Sequence, residues 1–337
     1  MIEGGESFLV VRLTALGDIL HTLPAVAALR AAHKNARIDW VVERKWMPVL
    51  EGSPVISEVI PFNRASGFDA LKSALRLRQK NYTCAIDFQG LYKSSVLAML
   101  SSAPRRIGFE RGWVREDGAA LLYTERVIPT GRHVAELNYS LAKKAGASRP
   151  AKPEYPLRVP AGGSASVRAR LADHGIKDYI VVGPGGSWRA KCWPPERYGA
   201  FCREFEKLRG IRAVLIHGPG EESLAEEACS AAHPAQPIVM ATTIEELMGL
   251  LAHARCVIAA DSGPLHLAAA LGTRVVGLYG PTDPARNGPF VSGAVIVSEA
   301  LPEEISYKRR ASYSPAMLRI TVEQVLHAAN SCLMASA

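Results

Sequence analysis

The sequence predicts an α/β protein built as two doubly wound units in series. Short β-branched runs alternate with longer helix-like segments along most of the chain, as in parallel sheets wrapped by helices. A Pro- and Gly-rich stretch, Arg149–Ser166, interrupts the alternation, and the same rhythm restarts after it. The turns richest in Gly, Asp, Ser and Lys follow predicted strands, on the side where open α/β sheets bind ligands.

In the first unit Phe8–Arg12, Arg37–Val42, Glu58–Phe62 and Thr83–Phe88 read as strands, because each is a short apolar, largely β-branched or aromatic run. Between and after them, Ile19–His33, Asp69–Gln79, Leu91–Ser101 and His133–Ala145 read as helices. Pro150, Pro153, Pro156, Pro160, Gly162 and Gly163 then mark a linker. In the second unit Tyr179–Gly183, Ala213–Gly218, Pro237–Ala241, Cys256–Ala260 and Arg274–Tyr279 have the continuous apolar character of strands buried on both faces. Glu196–Leu208, Glu221–Ala232, Ile244–Ala252 and Pro264–Leu271 read as its helices, and Ile320–Ala329 as a terminal helix too isolated to form a core alone. That tail is expected to pack back onto one of the domains. No short repeat stands out, although the two halves share a general plan.

The 337 residues are enough for two hydrophobic cores. At 48% hydrophobic and 21% charged residues the composition is that of a globular protein, which excludes disordered, collagen-like and prion-like classes. Uncharged apolar stretches fall short of the roughly 18 residues that span a bilayer, and Met1–Val10 lacks a basic leader, so neither a membrane helix nor a signal peptide is expected. The cytoplasm is the expected compartment. Six scattered cysteines without a CxxC pair point to reduced thiols rather than a disulfide framework or a zinc site.

The net charge is +8, and residues 1–150 hold 21 Lys and Arg against 14 Asp and Glu, so +7 of it lies there. Such a field attracts nucleic acid, an anionic membrane surface or an acidic substrate, or is simply a solvated basic surface. No nucleic-acid motif and no aromatic–basic stripe accompanies it.

Three turns carry the chemistry. The first, Arg12 to Pro24, places Gly17 and Asp18 at the start of a helix. Asp18 is either an N-terminal helix carboxylate or a general base facing the cleft between the units. A helix start favours the ionised form, which suits proton acceptance near neutral pH and limits basicity. The second, Val182 to Pro194, combines Gly185, Gly186, Ser187, Arg189 and Lys191 ahead of a helix and suits a phosphate-bearing ligand, or is a simple turn. Neither GxxxxGK[ST] nor GxGxxG occurs, so NTPase and ordinary dinucleotide readings lose their usual support.

The third turn, Ala259 to Ala270, lets Ser262 or Gly263 cap a helix with Pro264 in its first turn, which directs free N–H groups toward an anion. His266 lies one turn further and is read as a diphosphate contact or a core histidine. In the smaller turn His217 to Glu222, Glu221 is either a ribose ligand or a first-turn carboxylate. There is no Asp-x-Asp, so a metal held by that signature is not expected.

Taken in order and spacing, RLTALGDILHTLP, GGSWRAKCWP, GPGEE, DSGPLHLAAALGT and YGPTDP resemble the ADP-heptose:lipopolysaccharide heptosyltransferases, inverting glycosyltransferases of GT-B architecture. DFQGLYKS (87–94) and GFERGWVRE (108–116) look most like the heptosyltransferase I branch. The resemblance implies two Rossmann-like domains facing a central cleft, with boundaries at 1–155 and 156–315 and a C-terminal helix and tail at 316–337 packing back.

It further implies Asp18 as the base that deprotonates an acceptor hydroxyl of Kdo. Ser187 and Lys191 would meet the donor phosphates, Asp261 would lie near the heptose, and Ser262, Gly263 and His266 at the diphosphate. Glu221 would contact the ribose, with Glu222 one residue away, and Thr242 would line the adenine pocket. Ser187-Trp188 replaces the double Thr of some members. The partners implied are ADP-heptose, Kdo–lipid A and, peripherally, the anionic inner membrane leaflet, with no nucleic acid and no metal or other cofactor. Lys93 and Arg115 are the candidates for acceptor anions, or are surface charges. The alternatives are a heptosyltransferase II acting on the first heptose and a non-catalytic sugar-nucleotide-binding protein of the same fold.

Overall fold

The structure, a computed structural model, describes residues 5–62 and 75–334. The chain divides into two compact units, Met1–Arg158 and Val159–Ala337. The first is organised on β1 (Ser7–Val11), β2 (Arg37–Glu43), β3 (Glu58–Phe62), β4 (Cys84–Asp87), β5 (Arg105–Phe109) and β6 (Glu125–Val127), all parallel in the order β3-β2-β1-β4-β5-β6. The second uses β7 (Tyr179–Gly183), β8 (Arg212–His217), β9 (Ile238–Ala241), β10 (Val257–Ala260), β11 (Val275–Tyr279) and β12 (Val295–Ser298), all parallel in the order β12-β11-β10-β7-β8-β9. Read from its other edge the second order is the first. Each unit therefore has one switch point where successive connections leave in opposite directions, between β1 and β4 and between β7 and β10.

The central strands explain themselves: every residue of β1, β7 and β11 is buried, as helices on both faces of a parallel sheet require. The strands not foreseen from the sequence, β5, β6 and β12, lie toward the sheet edges. β5 opens on Arg105-Arg106, β6 is the three residues Glu125–Val127, and β12 is only four residues, apolar but partly exposed, so none presents the buried apolar run of a central strand. Of the expected helix Asp69–Gln79, residues 69–74 lie outside the described residues, while 75–78 are helical.

The linker expected at Arg149–Ser166 is corrected at its second half, where a helix, Ala161–Asp173, begins after Pro160. Gly162 and Gly163 belong to that helix. A Cβ on Gly163 would lie 2.2 Å from the Glu245 carbonyl oxygen, and one on Gly249 would lie 2.8 Å from Ser164. The glycines thus allow close crossing of Ala161–Asp173 with the helix Ile244–His253. Read without that partner, the same glycines look like a linker.

The C-terminal helix, Val322–Met334, packs on the second unit, where Val325, Ala328, Ala329 and Cys332 join the core formed by Trp193, Phe201, Phe205 and Leu278. Trp193 Nε1 donates to the Ile320 carbonyl at 3.0 Å and ties the preceding segment down. All six cysteines are free thiols. Among the described residues no helix is long and apolar enough to cross a membrane.

Two adjacent alanine substitutions separate helix propensity from packing. Gly162 has open space around a new Cβ, so Gly162→Ala should stabilise by roughly 0.5–1 kcal/mol. Gly163→Ala should instead destabilise by about 1–3 kcal/mol through overpacking. Urea unfolding of both variants checks this; equal shifts of the same sign would contradict the crossing.

Candidate active site

In the first unit β1 ends on buried residues and runs directly into Arg12, which is itself buried. Three residues on, the helix Leu16–Ala32 begins with Asp18 in its first turn. Arg12 Nη2 lies 2.9 Å from Asp18 Oδ1, and Arg115 Nη2 lies 3.0 Å from Asp18 Oδ2. The Ala15 N–H approaches Oδ2 at 3.4 Å. Burial pushes the Asp18 carboxyl up, but the opposing charges of Arg12, Arg115 and His21 and the Ala15 N–H outweigh it and hold it at about 2. Asp18 is therefore an anion at any physiological pH. The two cations differ in kind: the Arg12 side chain is 4% exposed and that of Arg115 55%.

On the other side of this switch point, the turn after β4 is built on Asp87, which is wholly buried. Tyr123 Oη and Ser94 Oγ donate to its Oδ2 at 2.7 and 2.8 Å, and the N–H groups of Gln89 and Gly90 donate to Oδ1 at 2.8 and 3.3 Å. Burial pushes this carboxyl up, against those four donors.

The second unit repeats the arrangement with different chemistry. Asp261 follows β10 and is buried; Lys191 Nζ lies 2.5 Å from Asp261 Oδ2 and donates to the Asp261 backbone carbonyl at 3.1 Å. His266 Nε2 lies 3.1 Å from Asp261 Oδ1. Burial raises the Asp261 carboxyl, but His266 and Lys191 outweigh it and hold it far below the usual carboxylate range. The helix Gly263–Ala270 starts beside this group, with Ser262 at its N-cap and Pro264 in its first turn. The unpaired N–H groups and partial positive charge of that start suit an anion.

Lys191 also lies under the Trp188 ring, 4.4 Å from its centroid, and Arg309 stacks at 5.8 Å on the same ring. Glu221 turns inward: its Oε2 accepts the Gly218 N–H at 3.1 Å, and its carboxylate leaves no room for a Cβ on Gly185. Glu222 points outward and accepts the Gly220 N–H. Ser187 is exposed in the turn after β7, and Thr242 is half-buried in the turn after β9, just before the helix Ile244–His253.

The structure thus brings Lys191, Asp261, Ser262, Gly263 and His266 together at one switch point, with Glu221 packed against the same Gly185 turn. It puts Asp18 and Arg115 together at the other. Lys93 lies apart from that pair, with Nζ 3.8 Å from Glu43 Oε1. Among the described residues no group of His, Cys, Asp and Glu is arranged to hold a metal ion. Sequence reasoning passed over Arg12, Asp87 and Gln89; a cation ending a buried strand and a polar pair at the end of another were the available signals.

Two doubly wound parallel α/β units, one with a carboxylate and the other with an uncharged helix start at its switch point, are the architecture of GT-B glycosyltransferases. A profile of glycosyltransferase family 9 (heptosyltransferase) matches residues 70–317, and the chain belongs to that family. It is 29% identical over 320 residues to lipopolysaccharide heptosyltransferase 1 of Pseudomonas aeruginosa, covering 91% of this chain and 88% of that one. Among solved structures it resembles the E. coli heptosyltransferase WaaC with ADP, at 25% identity and a TM-score of 0.77 over 97% of this chain and 99% of that one. E. coli ADP-heptose lps heptosyltransferase II shares the fold at 22% identity and a TM-score of 0.81, over 97% and 98% of the two chains.

The buried cation of the second unit gives a stability test. Lys191→Met leaves Asp261 buried without its ammonium partner and should cost about 3–5 kcal/mol. Asp261→Asn in the same chain should recover most of the loss. Denaturant unfolding reads both; a single variant as stable as the parent would show that the pair is not what keeps Asp261 ionised.

Proposed function

We propose that this glycosyltransferase moves heptose from ADP-L-glycero-β-D-manno-heptose to Kdo of Kdo–lipid A in one inverting displacement, with Asp18 as general base. The observation that carries this reading is that one unit holds an ionised, partly exposed Asp18 and the other holds the Lys191–Asp261–His266 group beside a helix start. Similarity to lipopolysaccharide heptosyltransferase 1, and to a WaaC structure with ADP, supports the acceptor and donor assignments.

The acceptor hydroxyl oxygen bonds to the anomeric carbon, the bond from that carbon to the diphosphate oxygen breaks, ADP departs and the hydroxyl proton passes to Asp18. A carboxylate held near 2 is a weak base. It suffices because the hydroxyl becomes far more acidic than a carboxylic acid as its oxygen bonds to the oxocarbenium-like carbon. Departure of ADP needs charge stabilisation on the opposite side. Lys191 uses two of its three donors on Asp261 and offers the third to a phosphate oxygen. Ser187, the Ser262–Gly263 helix start and His266 complete the diphosphate contacts, so the leaving group is neutralised without a divalent cation. Asp261 faces the heptose, Glu221 the ribose, and Thr242 the adenine.

Arg115 and Lys93 are proposed for the acceptor's anions. Each sits in a partly exposed ion pair, of a kind that an acceptor anion can replace at little cost. The +7 of residues 1–150 favours peripheral contact with an anionic leaflet from the cytoplasmic side. The fold likeness to heptosyltransferase II keeps a heptose-terminated acceptor as the second reading.

A mass-spectrometric transfer assay with ADP-heptose, run in parallel on Kdo-terminated and heptose-terminated acceptors, tests the proposal. The Kdo acceptor should be preferred, and Asp18→Asn should lower turnover by roughly 10²–10⁴-fold while ADP binding, read by calorimetry, persists. Lost ADP affinity with intact turnover would remove Asp18 from the base role. Binding of donor and acceptor without product would favour a sugar-nucleotide-binding protein instead.

A further inference from the structure

We infer that the turn Asp87–Gly90, through the side chain of Gln89, is the positioning element for the Asp18 base; the inference rests on Asp18 having that role. Nothing in the reaction itself requires Gln89 to touch substrate. Its importance comes from what it holds.

The segment between β1 and the Asp18 helix is tied to β2 on one side, where the Arg12 N–H donates to Val41 O at 3.3 Å and Leu13 O accepts the Glu43 N–H at 3.2 Å, and to Gln89 on the other. Leu13 N–H and Thr14 N–H both donate to Gln89 Oε1, at 2.7 and 3.4 Å, and Gln89 Nε2 donates back to Thr14 Oγ1 at 3.4 Å. Gln89 is 3% exposed, so water does not replace it readily. The neighbouring carbonyls of the same turn serve the two cations of Asp18. Phe88 O accepts from Arg12 Nη1, and Gly90 O accepts the backbone N–H groups of Arg115 and Glu116 at 3.0 and 3.1 Å. Three successive residues therefore fix the base's own loop, its buried cation and the segment that carries its exposed one.

The turn is rigid for reasons visible in its residues. Buried Asp87 accepts four hydrogen bonds, two of them from the turn's own N–H groups, so the loop is closed on a carboxylate at the end of β4. Gly90 has φ +67, in the left-handed region where a side chain is strained, and a Cβ there would also press on Val114 at 3.3 Å. Because a displacement of about 1 Å in a catalytic group costs on the order of 10²-fold in rate, the amide side chain that holds the Leu13 and Thr14 N–H groups ahead of the Asp18 helix has a large effect on turnover.

Steady-state kinetics with ADP-heptose, on whichever of the Kdo- and heptose-terminated acceptors the wild type turns over, should include Gln89→Met, Gln89→Glu, Asp18→Asn and the Asp18→Asn/Gln89→Met double variant. Gln89→Met removes the acceptor of two buried N–H groups and should lower kcat about 10²-fold with donor KM within about threefold. In the double variant it should add nothing to the loss caused by Asp18→Asn, because it acts through Asp18. Gln89→Glu keeps the acceptor, and should recover most of the turnover. Its added charge against the Leu13–Thr14 segment that leads into the Asp18 helix should also move the acid limb of kcat/KM to higher pH.

A folded Gln89→Met with kcat within twofold of wild type, or a further full loss in the double variant, overturns the positioning role while leaving Asp18 in place. A nearly unchanged Asp18→Asn overturns the base and the positioning role with it. Should Gln89→Met not fold, Gln89→Glu decides alone: an unmoved acid limb contradicts the coupling.

Discussion

A carboxylate taken out of water keeps its charge only when cations or hydrogen-bond donors come with it. Both functional regions of this enzyme are organised by that constraint. Asp18 brings Arg12 and Arg115 to the start of the helix Leu16–Ala32, and Asp261 brings Lys191 and His266 to the start of the helix Gly263–Ala270. Burial works against each carboxyl and is outweighed, at Asp18 chiefly by the charges of Arg12 and Arg115 and at Asp261 by the contacts with His266 and Lys191. The surrounding turns follow from it, since a buried guanidinium such as Arg12 needs carbonyl partners, and these come from the turn after β4.

The shared strand order gives both groups the same address. In each sheet the first and fourth strands separate two connections that leave in opposite directions, so the carboxyl ends of β1 and β4, or of β7 and β10, border an open crevice. One plan thereby yields two unlike half-sites. In the first unit the helix-start residue is an anion, which repels phosphate and suits proton acceptance. In the second the helix start, with Ser262 at the N-cap and Gly263 as its first residue, adds no charge of its own and leaves its N–H groups to an anion. The equivalence of topology has little signal in the sequence, because β5, β6 and β12 are short and carry charge or partial exposure.

Much of the site was legible because strand-to-helix turns concentrate Gly, Ser, Asp and Lys at short range: Asp18, Lys191, Asp261, Ser262, Gly263 and His266 all lie in such turns. What stayed hidden depends on contacts distant along the chain. Gln89 meets Leu13 and Thr14 across 76 and 75 residues, and Arg115 meets Asp18 across 97. Neither spacing has a local pattern. Gly162 and Gly163 misled for the same reason: a glycine needed for close helix packing has the same letter as one in a linker.

The central claim is that Asp18 is kept ionised by two guanidinium groups, and a carboxyl ¹³C NMR titration of aspartate-labelled protein, assigned with Asp18→Asn, measures it directly. The ordinary aspartate value is 3.8 and the folded one about 2, so the unfolded chain binds the proton first. The sign follows: Asp18 stabilises the fold above about pH 4, and that contribution is lost as pH falls through about 2. The Asp18 resonance should remain that of a carboxylate down to pH 3 in the folded protein. A midpoint at or above 4 would contradict the account.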